Sequence, residues 1–154
     1  MSKIEIGKKA PDFVLDGTSG KWRLADASGR HVVIYFYPRD NTPGCTQEGE
    51  AFGAAHARFK RADAMIVGIS PDTVASHSKF KEKMGFPFEL LSDPDKAVCE
   101  LYDVIQEKSM YGKKYMGVER STFLVDGHGL LRQAWRKVKV DGHAEAVLEA
   151  VKAL

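Results

Sequence analysis

The stretch from Tyr35 to Phe59 reads YFYPRDNTPGCTQEGEAFGAAHARF, and it predicts an apolar strand, a turn rich in Pro and Gly, and then a helix. Thr42 is a good N-cap residue, and Pro43 then falls at the first helical position. Cys45 therefore lies in the first helical turn, where backbone N–H groups lack intrahelical partners and the helix dipole is positive. We expect this position to stabilise the thiolate form of Cys45.

Strand and helix patterns alternate along the rest of the chain. Apolar runs predict strands, and turn residues followed by a helical period predict helices. In chain order, the predicted elements are a hairpin over Phe13–Leu24, strands His31–Tyr37 and Ala64–Ser70, a helix from Pro71-Asp72-Thr73 to Gly85, a strand Glu89–Leu91, a helix capped by Ser92-Asp93-Pro94, a strand Ser121–Val125, its return strand Leu130–Val138 and a helix His143–Leu154. Residues Gln106–Glu119 have no clear period and predict a loop. The pattern indicates an α/β fold in which helices flank a mixed central sheet with an N-terminal β-hairpin.

The composition predicts a single domain over residues 1–154. The mass of 17.1 kDa and the 44% of hydrophobic residues suffice for one core and are too small for two ordinary domains. The 23 basic and 21 acidic residues leave a formal charge of +2 without runs of like charge, so we expect neither nucleic-acid nor membrane binding. No segment reaches the roughly 20 apolar residues of a membrane span, and no signal peptide is evident, so we expect a cytoplasmic protein.

One face of the predicted helix carries a carboxylate among apolar residues. At about 100° per residue, Cys45, Glu48 and Phe52 lie on the face that also holds Ala55 and Phe59. Burying an unpaired charge is costly, so Glu48 requires a cation from elsewhere in the chain. Without an identified partner, the alternative in which Glu48 reaches solvent at the helix edge is favoured.

The spacing around Cys45 excludes most mechanisms of a reactive thiol. A dithiol oxidoreductase needs Cys-x-x-Cys, but the third residue after Cys45 is Glu48, and a phosphatase loop needs an arginine where Ala51 stands. No histidine has the context of a cysteine protease, and each is interpreted as an ordinary surface or core residue: His31, His56, His77, His128 and His143. The two cysteines, Cys45 and Cys99, are too few for a disulfide framework and form no zinc motif, so neither a metal nor a cofactor is expected.

Attack of the thiolate on a peroxide is the chemistry that remains. This attack yields a sulfenic acid and expels an oxyanion, so the site needs hydrogen-bond donors along the O–O axis. Thr42 can place its hydroxyl there, and Pro38 can shield the thiolate. A guanidinium would both stabilise the thiolate and polarise the peroxide.

These residues resemble the active-site signature of the peroxiredoxins. Pro38, Thr42 and Cys45 stand in the order Pro-x-x-x-Thr-x-x-Cys within YPRDNTPGCTQE, and SDPDKAVCELYDV and MGVERSTFLVD resemble the bacterioferritin comigratory protein branch, also called peroxiredoxin Q. The resemblance extends from APDF to the terminal helix. It implies a thioredoxin-like fold, reduction of hydrogen peroxide or alkyl hydroperoxides, and Cys45 as the peroxidatic nucleophile. It also implies that Arg120 completes the site and is held by Glu48.

The chain departs from this pattern at the resolving cysteine. Many members of the branch carry one five residues after the peroxidatic cysteine, where this chain has Glu50, and others carry one in the following helix, near Lys81. Either Cys99 or an external thiol must then reduce the sulfenic acid. We favour the external thiol, which is thioredoxin, glutaredoxin or a low-molecular-weight thiol, because Cys99 flanks an apolar stripe and is expected to be a buried structural residue. A monomer is expected, as is common in the branch.

Two other functions are compatible with the same motif. In a redox sensor, Cys45 would be oxidised and would pass its state to a partner protein with little turnover. A thioredoxin-like binding module without chemistry is the least favoured alternative, because the motif is intact.

Overall fold

The computed structural model describes residues 4–154, and over this range it contains nine β-strands, four α-helices and one 3-10 helix. In chain order they are β1 (Val14–Gly17), β2 (Gly20–Arg23), the 3-10 helix (Leu24–Ala27), β3 (His31–Phe36), α1 (Pro43–Arg61), β4 (Ala64–Ser70), α2 (Val74–Met84), β5 (Glu89–Ser92), α3 (Ala97–Leu101), β6 (Ile105–Met110), β7 (Lys113–Val118), β8 (Ser121–Val125), β9 (Leu131–Trp135) and α4 (His143–Lys152). Within residues 4–154, no helix is long and apolar enough to cross a membrane.

Seven strands form one mixed sheet in the order β2-β1-β5-β4-β3-β8-β9. The central strand β3 pairs in parallel with β4 and antiparallel with β8, and β4 pairs in parallel with β5. Strand β3 is buried from Val32 to Phe36, as expected of a central strand covered on both faces. The predicted mixed sheet with an N-terminal β-hairpin is confirmed.

The sheet separates two apolar clusters, because successive side chains of a strand point to opposite faces. On one face, Val33 and Tyr35 of β3 pack with residues of α1, α2 and α4, and Cys45 belongs to this cluster. On the other face, Val32 and Ile34 pack with α3 and the N-terminal segment, and Cys99 belongs to that cluster. The two cysteines therefore lie on opposite sides of the central sheet.

The predicted loop over residues Gln106–Glu119 is wrong, because most of it forms the hairpin of β6 and β7. Strands β6 and β7 pair with each other and form a sheet separate from the main one. The turn between them consists of Tyr111 and Gly112, which both have positive φ. Most of its side chains are exposed, so no apolar alternation marks its strands. The preceding helix is also shorter than its apolar stripe predicts, because Ile105 begins β6.

Candidate active site

The turn from β3 into α1 delivers Cys45 to the buried side of the first helical turn. Asn41 adopts a left-handed conformation (φ 65°), Thr42 is the N-cap in an extended conformation, and Pro43 is the first helical residue. The predicted helix start is confirmed. However, the Thr42 hydroxyl makes no capping bond and instead donates to the Arg39 carbonyl oxygen at 2.9 Å.

Arg120 approaches Cys45 from the segment between β7 and β8. Its Nη2 donates to Cys45 Sγ at 3.4 Å, and its Nη1 donates to Glu48 Oε1 at 2.6 Å. The backbone N–H of Val138 donates to the Arg120 carbonyl oxygen at 3.0 Å, which fixes the segment. One guanidinium thus contacts both polar groups on the buried face of α1. A positive charge therefore lies within hydrogen-bond distance of the Cys45 sulfur.

Glu48 is held against Arg120 within the core. Its side chain is 2% exposed, so the alternative in which it reaches solvent is wrong, and the required cation is Arg120. Burial raises the pKa of Glu48 to about 7, although Arg120 acts in the opposite direction. Burial also works against the charged form of Arg120, but the anionic forms of Glu48 and Cys45 outweigh it and raise the pKa of Arg120. The guanidinium therefore keeps its charge.

Two residues near the site were not identified from the sequence. Gly44 leaves room for the guanidinium, because a Cβ there would lie only 3.1 Å from Arg120 Nη2. Lys108 of β6 is the second residue. Burial lowers the pKa of Lys108, and the positive charge of nearby Arg120 lowers it further. A glycine in the first turn of a helix was the available signal for Gly44. No signal marked Lys108, because its strand was predicted to be a loop.

The other predicted residues of the site lie in the turn before α1. Pro38 and Thr42 are both partly buried there, on the chain segment that leads to Cys45. The Thr42 hydroxyl is engaged with Arg39, so it would have to rotate to donate to a peroxide. Shielding by Pro38 and donation by Thr42 stay predictions.

The candidate resolving positions are remote or occupied by charged residues. Cys99 is fully buried, and its backbone N–H donates to the Asp93 carboxylate at 2.7 Å. Burial and Asp93 together raise the pKa of the Cys99 thiol well above its usual range. Glu50 is exposed on the outer face of α1, and Lys81 forms an ion pair with Glu89 at 2.9 Å.

Two of the five histidines are buried, and both have hydrogen-bond partners, as predicted for core histidines. His143 Nε2 lies 2.8 Å from the Thr122 hydroxyl oxygen, and burial together with the charge of Arg120 lowers the pKa of His143 to about 4. His143 is therefore neutral near pH 7. The second buried histidine, His77, bonds to Asp40 and to the Leu91 carbonyl oxygen.

The chain is similar to known proteins over most of its length. The AhpC/TSA family matches residues 6–134. The chain is 57% identical over 151 residues to peroxiredoxin Bcp of Xanthomonas campestris pv. campestris, covering 97% of this chain and 94% of that protein. It superimposes on a cysteine-to-serine mutant of Xylella fastidiosa PrxQ with a TM-score of 0.93 and 41% identity, covering 99% of this chain and 98% of the other. A structure of the Xanthomonas campestris bacterioferritin comigratory protein, described for its alkyl peroxide reduction activity, gives a TM-score of 0.87 at 52% identity, covering 92% and 90% of the two chains.

Proposed function

Because the chain belongs to the AhpC/TSA family and is a peroxiredoxin of the Bcp/PrxQ branch with a thioredoxin-like fold, we propose that Cys45 is the sulfur through which it reduces peroxides. The protein is a thiol-dependent peroxidase. The observation that carries the residue assignment is the 3.4 Å hydrogen bond from Arg120 to Cys45 Sγ, on a guanidinium that Glu48 holds in place. Hydrogen peroxide and alkyl hydroperoxides are the proposed substrates.

In the first step, the Cys45 thiolate attacks one peroxide oxygen. An S–O bond forms, the O–O bond breaks, and the sulfur is oxidised to a sulfenic acid while the peroxide is reduced. The leaving oxygen departs with the bonding electron pair and takes a proton to become water or an alcohol. Arg120, the Thr42 hydroxyl and the amides of the first turn of α1 are the donors that stabilise this developing charge. Pro38 shields the sulfur from bulk water.

In the second step, an external thiol reduces the sulfenic acid. Its thiolate attacks the Cys45 sulfur, releases water and forms a mixed disulfide, and another thiol then frees Cys45. The location of Cys99 supports this route over an internal one, because the central sheet lies between the two cysteines. The layers of such a fold pack about 10 Å apart. Thioredoxin, glutaredoxin or a low-molecular-weight thiol is the proposed reductant.

Mass spectrometry after one equivalent of peroxide tests both steps. The wild-type protein should gain one oxygen on Cys45 and lose it when a thiol is added, while peroxide is consumed steadily in excess thiol. Cys45→Ser should abolish peroxide consumption, whereas Cys99→Ser should retain it. A Cys45–Cys99 disulfide after the first equivalent would contradict external resolution, and one lasting oxidation without turnover would indicate a sensor.

The same proposal includes a monomeric protein in the cytoplasm. Both cysteines are free thiols, as expected in a reducing compartment that also supplies the second thiol. Size-exclusion chromatography of both redox forms and fractionation of cells test these two points. A dimer that disappears on reduction would instead indicate resolution by a second copy of the chain.

A further inference from the structure

A buried polar cluster joins the turn before α1 to the first turn of α2. Its centre is the Asp40 carboxylate, which lies in this turn and is almost fully buried. Asp40 Oδ2 lies 2.7 Å from His77 Nδ1 and accepts from the Ser76 hydroxyl at 2.8 Å, and Asp40 Oδ1 accepts from the Tyr37 hydroxyl at 2.6 Å. His77, which is 0% exposed, is thus bound to the chain segment that leads to the reactive thiol.

The partners of His77 fix the protons on its ring. Its Nε2 lies 2.9 Å from the Leu91 carbonyl oxygen, which only accepts, so Nε2 carries a hydrogen. Burial raises the pKa of Tyr37 well above its usual range, so the Tyr37 hydroxyl keeps its proton and donates to Asp40. A carboxylate that receives two hydroxyl donors is best ionised. Nδ1 must then supply the hydrogen of the contact with Asp40, which makes His77 an imidazolium.

Further bonds set the course of the backbone through this turn. The backbone N–H of Asp40 donates to Asp72 Oδ2 at 2.8 Å, just before α2 begins. Lys83 of α2 donates to the side-chain oxygen of Asn41 at 3.1 Å, and Asn41 has the left-handed conformation that turns the chain into α1. Residues at and just before α2 thus hold Asp40 and Asn41, the two residues that directly precede the N-cap Thr42.

We propose that His77, protonated on both ring nitrogens, is a positioning residue for peroxide reduction, which it supports by holding Asp40 and the turn that carries Thr42 and Cys45. The inference rests on the proposed role of Cys45 as the reacting sulfur. His77 acts through Asp40: the ion pair couples α2 to the entry of α1. Catalytic groups must keep their geometry within a fraction of an ångström, so a loose turn would misplace the donors around the sulfur.

The same cluster is saturated with protein hydrogen bonds. Ligand atoms of Asp40, Asp72 and His77 lie within 4.8 Å of one another, which is compact enough for a cation. However, Asp72 Oδ2 already accepts from the Ser70 hydroxyl at 2.6 Å and from the Asp40 backbone, and His77 Nδ1 is engaged with Asp40. A cation would have to displace these bonds, so we interpret the cluster as a structural hydrogen-bond network rather than a metal site.

The test compares His77→Phe with His31→Phe in the full-length protein. His31 is the control, because it is a partly buried histidine whose ring accepts a hydrogen bond from the backbone N–H of Gly127 at 3.1 Å, but it lies at the opposite end of β3. We expect His77→Phe to slow the first oxidation of Cys45 by peroxide about tenfold or more, since a misplacement of about 1 Å can cost a factor of a hundred. The reaction of Cys45 with iodoacetamide, which needs no peroxide geometry, should change far less. His31→Phe should leave both rates unchanged.

Two further measurements keep the outcome decisive. Nitrogen NMR of the His77 ring should show both nitrogens protonated at neutral pH. Ser76→Ala is a milder change that removes another donor to Asp40, and it serves as the second variant if His77→Phe does not fold. It should lower the peroxide rate by a smaller factor. An unchanged peroxide rate in a folded His77 variant, or an unprotonated Nδ1, would overturn the proposal. The Cys45→Ser variant is independent of this result: if it still reacts with peroxide, the proposed function fails rather than the role of His77.

Discussion

The two cysteines are equally buried but lie in opposite electrostatic surroundings. Cys45 is 2% exposed and contacts the Arg120 guanidinium, whereas Cys99 is 0% exposed and lies beside the Asp93 carboxylate. Burial alone disfavours any thiolate, and at Cys99 the carboxylate adds to that effect, so the pKa of this thiol is raised. The sign of the neighbouring charge, rather than exposure, therefore distinguishes Cys45, the sulfur that we propose to react with peroxide, from Cys99.

Loss of the Arg120 guanidinium should have the largest effect on the reactivity of Cys45. In Arg120→Met, which keeps a long side chain without charge, the rate of Cys45 oxidation by peroxide should fall by a factor of about 10² to 10³, as expected when one donor to a developing oxyanion is lost. Stopped-flow measurement of the first oxidation checks this prediction. Alkylation of Cys45 by iodoacetamide at neutral pH should also slow, so that Cys45 comes to resemble Cys99.

Arg120→Lys and Arg132→Met serve as controls for this change. Lysine keeps the charge but not the two-pronged contact with Cys45 and Glu48, so the rate should recover only partly. Arg132 bonds to Asp126 at 3.1 Å and lies on β9, away from the contacts of Cys45 described above, so its loss should leave the peroxide rate unchanged. A wild-type rate in Arg120→Met would show that the guanidinium does not cause the difference in reactivity between the two thiols.

Glu48, the carboxylate that shares Arg120 with Cys45, should produce a smaller effect, which is a dependence of the unfolding free energy on pH. Because burial raises its pKa from 4.5 to about 7, the folded state binds a proton that the unfolded state has lost in this interval. The contribution of Glu48 to stability is therefore full below pH 4.5 and declines as pH rises to about 7. Relative to Glu48→Gln, the unfolding free energy of the wild type should fall by on the order of 1 kcal/mol per pH unit across that range.

Chemical denaturation at a series of pH values measures this slope. Glu50→Gln is the matched control, because Glu50 lies on the exposed side of the same helix, and the difference between this variant and the wild type should be flat. If the Glu48 difference is equally flat, then the ion pair with Arg120 outweighs burial and Glu48 is already ionised at low pH.

Local spacing explains what could be predicted of this site, and distance along the chain explains what could not. The N-cap Thr42, the position of Cys45 and the buried face with Glu48 follow from a helical period within a few residues. Arg120 is 75 residues away from Cys45, so the sequence indicated the need for a cation, and only the resemblance to peroxiredoxins indicated which one. His77 carried no distinguishing signal, because its partner Asp40 lies 37 residues earlier on another element.

The hairpin of β6 and β7 was missed for a different reason. Its strands make their hydrogen bonds with each other and expose most of their side chains, so burial imposes no period on the sequence. Its turn uses Tyr111 and Gly112 rather than the Asn-Gly or Asp-Gly pairs that mark such turns. A periodic pattern of apolar residues reveals strands that bury one face, and the strands of this hairpin bury few of their side chains.

The smallest effect on activity should come from Cys99. Cys99→Ala should leave peroxide turnover with thioredoxin or a small dithiol within about twofold of the wild type, because the sheet separates this sulfur from Cys45. The same change should lower the unfolding free energy by on the order of 1 kcal/mol, since it leaves a small cavity in a packed cluster. If turnover instead collapses while the first oxidation of Cys45 stays fast, Cys99 must cross to the other face of the sheet during the cycle. That result would require α1 or α3 to unfold locally in each turnover, and hydrogen exchange in the oxidised protein would identify which helix opens.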